Sequence, residues 1–140
     1  MLSCALEFVV KSYDVDFAGV VSNLVYLRWL EDLRLELLER TIPIRELNEQ
    51  GLNPTLVRTE IDYRAPLHLS ERVVGQMSIV RVGNASFAMH ARLHKADGTL
   101  VAEANQVACL VSARTGRPVS LPQTFREMAG ADEHEAEEVH

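Results

Sequence analysis

Several features are scarce in this chain of 140 residues, and each scarcity excludes a class of protein. Two cysteines are too few for the disulfide framework of a small extracellular domain. No segment approaches the roughly 18 consecutive apolar residues that cross a bilayer, and the N-terminus lacks the basic and apolar regions of a signal peptide. We therefore expect a cytoplasmic protein with no membrane span, in which Cys4 and Cys109 stay reduced and buried.

Basic residues are also in the minority. The 14 Lys and Arg residues against 20 Asp and Glu give a formal net charge of -6, which argues against a nucleic-acid partner. Some of this acidity lies in residues 129–140, whose low apolar content predicts a disordered tail. The hydrophobic fraction of 47% is ordinary for a globular protein, so residues 1–128 are expected to form one domain.

Hydrophobic periodicity predicts one strand, one long helix and then four antiparallel strands. Leucines at spacings of three, four and seven predict the helix from Asn23 to Arg40, with an apolar stripe formed by Leu24, Leu27, Leu30, Leu37 and Leu38. Short apolar or alternating runs predict strands over residues 6–11, 56–63, 72–80, 87–93 and 100–112. Short helices are expected near residues 44–50 and 123–128. This order predicts an α+β fold.

The most informative segment is the turn that precedes the long helix. It places the Asp16 carboxylate and the Gly19 turn directly before a helix start, where backbone N–H groups have no intrahelical partner. An ionised acid beside unpaired N–H groups suits attack on a polarised carbonyl, most simply that of a thioester. The simpler alternatives are that Asp16 caps backbone amides and that Gly19 is an ordinary turn glycine. Asp14 is expected to order the loop, with Ser22 or Asn23 as the N-cap.

Few other residues suggest chemistry. His90 and His94 lie four apart on a predicted strand, which separates them by roughly 13 Å and prevents them from sharing a metal ion. There is no Ser-His-Asp arrangement and no glycine-rich phosphate loop, so we predict no metal site and no cofactor. Glu31 has Arg28 and Arg34 three residues away on either side, which favours an ion pair over a direct catalytic role.

Two consecutive segments carry a family resemblance. Asp14-Val15-Asp16-Phe17-Ala18-Gly19-Val20-Val21, followed by Tyr26-Leu27-Arg28-Trp29, resembles the signature of hotdog-fold acyl-CoA thioesterases of the 4-hydroxybenzoyl-CoA thioesterase type. Weaker similarities to the same family lie at residues 60–66, 81–86 and 113–119. Asn23 stands where many relatives carry His or an aromatic residue, and Val25 where many carry Asn. Since a backbone donor survives such changes, the resemblance extends to catalysis but not to substrate preference.

The resemblance implies a hotdog fold, in which a curved antiparallel sheet of about five strands wraps one long central helix. It also implies a homodimer or homotetramer with its active site between subunits. Asp16 would be the catalytic carboxylate, as nucleophile or as general base, and the Asn23 N–H would polarise the thioester carbonyl. The candidate substrate-binding residues are Val20, Val21 and Tyr26 near the helix start and Arg81, Asn84 and Ser86 at a hairpin, with Arg58 and Arg64 as weaker candidates. A packing role is the simpler alternative for Tyr26. For Arg81, Asn84 and Ser86, the simpler alternative is that they belong to an ordinary polar hairpin.

The predicted function is hydrolysis of an acyl-CoA to a free acid and CoA, without a metal or redox cofactor. A thioester of acyl-carrier protein is a close alternative substrate. A non-catalytic acyl-CoA-binding or sensor module is the rival of another class, although a pure binder gains little from a desolvated charge beside its ligand's carbonyl. A hydratase of the same fold would need a paired His and acid, and the segment around Val20 supplies no His.

Overall fold

The computed structural model describes residues 2–130 and has an α+β architecture. The strands are β1 (Ser3–Val9), β2 (Leu52–Tyr63), β3 (Arg72–Val82), β4 (Ser86–Lys95) and β5 (Leu100–Ser112). The helices are α1 (Asn23–Glu39), α2 (Ile44–Glu49) and α3 (Gln123–Ala129), and a 3-10 turn covers Ser12–Asp14. The acidic tail predicted for residues 129–140 lies outside the described residues from 131 onwards.

All five strands form one antiparallel sheet in the order β1-β3-β4-β5-β2. Strands β3, β4 and β5 are neighbours in both sequence and space, which short hairpin connections favour. Strands β1 and β2 occupy the two edges. The predicted hotdog architecture, with about five strands and one long helix, is confirmed.

Helix α1 packs on the concave face of the sheet, against β1 and β3. Leu30, Leu33 and Leu37 have no exposed surface, which makes this helix the centre of the core. The predicted stripe was wrong at Leu24 and Leu27, which are 65% and 39% exposed. Leucines lie on more than one face of α1, and the face that carries the aromatic residues is the one that meets the sheet. The buried residues of α1 are Val25, Tyr26, Trp29, Leu30, Leu33, Leu37 and Leu38.

A glycine in β3 lets α1 approach the sheet closely. A Cβ atom on Gly75 would lie 2.9 Å from Cδ1 of Leu33 in α1 and 2.8 Å from Cδ2 of Leu93 in β4. Both distances are shorter than a side chain tolerates in a packed core, so glycine at this position sets the spacing between helix and sheet.

The strand boundaries differ from the prediction at the two edges of the sheet. Strand β1 lies at 3–9 rather than 6–11, and β2 begins at Leu52 rather than Leu56. Pro54 falls inside β2, which is possible because an edge strand does not need every N–H for pairing.

The prediction that both cysteines are buried holds only in part. Cys4 is buried and Cys109 is partly exposed, although both thiols are free.

Candidate active site

The segment between β1 and α1 forms a small antiparallel turn. Val15 and Val21 make an isolated bridge. The Asp16 N–H donates to the Val20 carbonyl over 2.9 Å, and the Gly19 N–H donates to the Asp16 carbonyl over 3.0 Å. Gly19 has a φ of +81°, a backbone conformation that side chains with a Cβ rarely adopt. This turn places Asp16 directly across from Val20. Val20 lies three residues before the first residue of α1.

Asp16 lies partly exposed within this turn. Its Oδ1 accepts the Ala18 N–H over 2.8 Å. One carboxylate oxygen therefore caps a backbone amide, which was the simpler alternative role considered for Asp16. Oδ2 has no hydrogen-bond partner among residues 2–130, and no cation of that range makes an ion pair with Asp16. The carboxylate therefore keeps a free oxygen and is not neutralised by a basic side chain.

Asp14 orders the same loop from the other side. Its Oδ2 accepts the Lys11 N–H over 2.9 Å, and its carbonyl accepts the Ser22 N–H over 3.0 Å. The predicted loop-ordering role of Asp14 is confirmed.

The Asn23 N–H, in the first turn of α1, is a free backbone donor among the described residues. Ser22 is the N-cap, and its Oγ accepts the Leu24 N–H over 3.3 Å while its carbonyl accepts the Val25 N–H over 2.9 Å. In the part of the chain that the structure describes, the Asn23 N–H meets no acceptor. Because the positive end of the helix dipole lies here, this N–H can polarise a carbonyl oxygen that lies within hydrogen-bonding distance of it.

A cavity of about 260 Å³ opens beside this donor. Its lining residues are Val20, Val21, Asn23, Tyr26, Tyr63, Arg64, Ala65 and Pro66. Four predicted site residues therefore meet in one cavity, while Asp16 flanks it through the turn that ends at Val20. Two grooves of about 590 and 570 Å³ lie elsewhere on the protein and include neither Asp16 nor Asn23. We place the candidate site at the smaller cavity because Asn23, whose N–H has no acceptor among the described residues, is one of its lining residues.

Two tyrosines form the aromatic wall of the cavity. The Tyr26 ring is 3% exposed, and the Tyr63 ring packs edge-on against it with centroids 5.2 Å apart and an interplanar angle of 80°. Burial, together with the neighbouring Tyr63 and Glu71 side chains, raises the pKa of Tyr26 to about 12. Burial also raises the pKa of Tyr63. Both phenols therefore stay protonated and uncharged near neutral pH.

The second group of predicted binding residues lies outside this cavity. Asn84 Oδ1 accepts hydrogen bonds from Ser120 Oγ and Arg126 Nη1, which ties the β3–β4 hairpin to the C-terminal segment. Arg81 is exposed near the end of β3, and the Ser86 carbonyl accepts the Gly83 N–H over 2.7 Å. Within one protomer these residues do not meet Asn23, and a contact with CoA stays a prediction.

The remaining candidates, Arg58, Arg64 and Glu31, differ in their position relative to the cavity. Arg64 lines the cavity, whereas Arg58 is exposed and pairs with Glu60. Glu31 is 61% exposed with Arg34 at 4.0 Å, which agrees with the ion pair expected from the sequence. Sequence reasoning missed Tyr63 as a member of the site. The one signal that could have found it was the strand-ending Arg64-Ala65-Pro66 that follows it.

Two further observations concern residues 2–130, one on metal binding and one on membrane crossing. No group of three or more His, Cys, Asp or Glu side chains is arranged to hold a metal ion. No helix in this range is long and apolar enough to cross a membrane.

The turn glycine allows a controlled test. Gly19 and Gly98 have φ values of +81° and +89°, and a Cβ atom on either would meet nothing within 4 Å. We expect Gly19→Ala and Gly98→Ala each to lower the free energy of unfolding by about 1–2 kcal/mol through backbone strain alone. Only Gly19→Ala should also lower kcat, by about tenfold, because it distorts the turn that carries Asp16. Thermal denaturation and steady-state kinetics on both variants measure this, and equal losses of kcat would contradict it.

Comparison with known proteins identifies the family of this chain. Residues 10–128 match the model of the thioesterase-like superfamily. The chain belongs to this superfamily. Its membership confirms the sequence-based expectation of a hotdog enzyme of the thioester hydrolase class.

Several relatives of this thioesterase are known. A protein of Aquifex aeolicus (strain VF5), provisionally named an esterase, is 27% identical over 120 residues, which are 85% of this chain and 91% of the relative. A 1,4-dihydroxy-2-naphthoyl-CoA thioesterase from Synechocystis superposes with a TM-score of 0.83 at 21% identity, covering 91% of this chain and 96% of the other. A hypothetical protein of Staphylococcus aureus, solved in complex with CoA, gives a TM-score of 0.86 at 16% identity over 97% and 87% of the two chains. At these identities the structural likenesses show the fold.

Proposed function

We propose that this thioesterase hydrolyses an acyl-CoA at the cavity beside the start of α1. The single observation that carries the proposal is the free Asn23 N–H at the wall of that cavity, flanked by the turn that holds Asp16. The thioester carbonyl oxygen would rest on this N–H, so that negative charge developing on the oxygen meets the positive end of the helix dipole. Each well-placed donor of this kind contributes on the order of 3 kcal/mol to the transition state.

Asp16 would supply the second half of the reaction. As general base, it takes a proton from a water molecule that adds to the carbonyl carbon; the C–S bond then breaks, and the departing CoA sulfur takes up the proton that Asp16 holds and leaves as the thiol. As nucleophile, it adds to the carbonyl carbon itself, expels the thiolate and forms an anhydride that water then cleaves. Both routes give a free acid and CoA, and neither uses a metal or redox cofactor. The free Oδ2 of Asp16 is available for either role.

We also propose that the working unit is a homodimer. Strand β2 has 12 residues and, within the described range 2–130, pairs only with β5, which leaves a long edge unpaired there. Such an edge invites pairing with another strand. Phe17 beside the catalytic turn is 103% exposed, and Leu24 in the first turn of α1 is 65% exposed. A second copy paired along β2 would cover apolar surface next to the cavity and help to enclose the acyl group.

The residues that line the cavity also indicate the class of substrate. The cavity combines aromatic and aliphatic walls with one cation, Arg64, which suits an apolar acyl group attached to an anionic carrier. Three of the structurally similar proteins are named as thioesterases of aromatic acyl-CoAs, two for 1,4-dihydroxy-2-naphthoyl-CoA and one for gentisyl-CoA. The choice between aromatic and aliphatic acyl groups, and the cytoplasmic location, stay predictions.

A thiol-release assay tests the proposed function. Wild-type protein is incubated with benzoyl-, phenylacetyl-, short-chain and long-chain acyl-CoAs, and with an acyl-carrier-protein thioester. Turnover of at least one acyl-CoA supports the proposal, whereas turnover of the carrier-protein thioester alone reassigns the substrate. Binding of acyl-CoA without release of thiol would replace the hydrolase by a binding module.

A further inference from the structure

The end of β2 reaches the start of α1 through a single hydroxyl group. Tyr63 is the last residue of β2, and its hydroxyl donates to the Asn23 carbonyl oxygen over 3.3 Å. The two residues are 40 positions apart in the sequence. Tyr63 thus contacts, through a tertiary interaction, the residue whose N–H is the proposed carbonyl donor.

The position of this hydroxyl is set by the ring rather than by the hydrogen bond. A separation of 3.3 Å is long for an O–H···O bond, so the bond alone contributes little energy. The Tyr63 ring packs against Tyr26, which in turn packs against Trp29 with centroids 5.5 Å apart. Trp29 also stacks on Phe8 of β1 at 5.2 Å. This aromatic row runs from β2 to β1 through two side chains of α1, Tyr26 and Trp29, and holds the Tyr63 ring with its hydroxyl near Asn23.

Within the first turn, the Ser22 carbonyl accepts the Val25 N–H over 2.9 Å and so orients the peptide unit that carries the Asn23 N–H; what this leaves open is the position of the turn relative to β2. The side chain of the N-cap Ser22 accepts the Leu24 N–H rather than that of Asn23, and Asn23 itself is exposed. Outside the helix, Tyr63 is the one described residue that forms a hydrogen bond with the Asn23 backbone. By binding the Asn23 carbonyl from outside the helix, Tyr63 ties the first turn of α1 to the end of β2 and so fixes where the Asn23 N–H stands relative to the other cavity residues. A donor fixed in direction before the substrate arrives costs no reorganisation during the reaction.

We propose that Tyr63 is a positioning residue of this thioesterase, which acts through Asn23 by holding the first turn of α1 in the orientation that stabilises the transition state. The inference rests on the proposed function of the Asn23 N–H. Burial raises the pKa of Tyr63, so its hydroxyl is protonated and can donate to the Asn23 carbonyl near neutral pH. Since Tyr63 ends the edge strand β2, pairing of this edge with a second copy also fixes the hydroxyl.

The test is Tyr63→Phe, which removes the hydroxyl and keeps the ring and its packing. We expect kcat to fall about tenfold while KM changes less than about twofold, because the loss concerns the transition state rather than substrate binding. The melting temperature should stay within about 1 °C of wild type, since a long and partly exposed hydrogen bond contributes little. Tyr13→Phe is the matched control, because Tyr13 is 75% exposed and lies outside the cavity.

Each outcome has a distinct meaning. A selective loss of kcat in Tyr63→Phe, with Tyr13→Phe at the wild-type value, supports the positioning role. Unchanged kcat in Tyr63→Phe overturns the role while leaving the proposed function intact, provided that the wild type still releases thiol. A parallel fall of melting temperature and kcat overturns it as well, because it shows that Tyr63 only stabilises the fold. Wild-type protein that releases no thiol from any acyl-CoA overturns the proposed function itself.

Discussion

Replacing Asp16 by Asn is expected to lower kcat at least about a hundredfold on any acyl-CoA that the wild type hydrolyses. The substitution removes the negative charge, so the side chain can neither attack the carbonyl nor accept a proton from water. The amide oxygen of Asn can still accept the Ala18 N–H that Asp16 Oδ1 accepts over 2.8 Å, so the turn should persist. KM should change little, because the carboxylate contributes to the transition state more than to binding. Steady-state kinetics by thiol release measures both constants.

The chain contains a matched control for this substitution. Asp97 Oδ1 accepts the Thr99 N–H over 2.9 Å in a turn that also contains a glycine of positive φ, Gly98. Asp97→Asn therefore changes the same kind of turn by the same atoms, in the β4–β5 hairpin, at a residue that does not line the cavity. We expect it to leave kcat unchanged. A similar loss of activity in both variants would show that the Asp16 effect is structural, and full activity in Asp16→Asn would remove this residue from the mechanism.

Blocking the free edge of β2 is expected to separate the proposed dimer and to lower kcat/KM by about a hundredfold, since a site between subunits loses its alignment. Val57 is 60% exposed and lies at the bulge between Leu56 and Arg58, where it has no partner in β5. A lysine there costs the monomer little, because its side chain replaces an exposed one. Its charge opposes pairing of this edge with a second strand. Val57→Lys should therefore elute as a folded monomer.

Light scattering after size-exclusion chromatography, circular dichroism and thiol release together measure this result. Val74→Lys is the control, because Val74 is also an exposed valine, at 38%, but lies in β3 rather than at an edge. We expect it to remain dimeric and active. A wild-type protein that is monomeric and active, or a dimeric and fully active Val57→Lys, would contradict the proposed dimer.

The sequence was sufficient to predict most of the fold because its signals were local. Alternation in β4 and the Asp97-Gly98 turn are consequences of neighbouring residues, and both appear where they were expected. The start of β2 was missed because Leu52 to Thr55 become a strand only by pairing with β5, some 55 residues later. The exposure of Leu24 and Leu27 was missed for a related reason. Periodicity alone does not decide which of several apolar faces of a helix meets the sheet.

The candidate site likewise contains some residues placed by local sequence signals and others placed by tertiary contacts. Asp16, Gly19 and Asn23 belong to one short segment, so their arrangement followed from turn and helix-start chemistry. Tyr63, the last residue of β2, and Arg64, which follows it, reach the cavity through tertiary contacts, and the end of the strand was the one local signal at this position. Tertiary contacts of this kind are set by the sheet order, which places β2 at one edge.

The most direct measurement is a crystal structure of Asp16→Asn soaked with an acyl-CoA that the wild type hydrolyses. We predict an intact thioester in the cavity beside α1, with its carbonyl oxygen about 3 Å from the Asn23 backbone nitrogen. The side chain at position 16 should lie within about 3.5 Å of the carbonyl carbon or of a water molecule next to it. A thioester bound elsewhere, or a carbonyl oxygen turned away from the Asn23 N–H, would contradict the central claim.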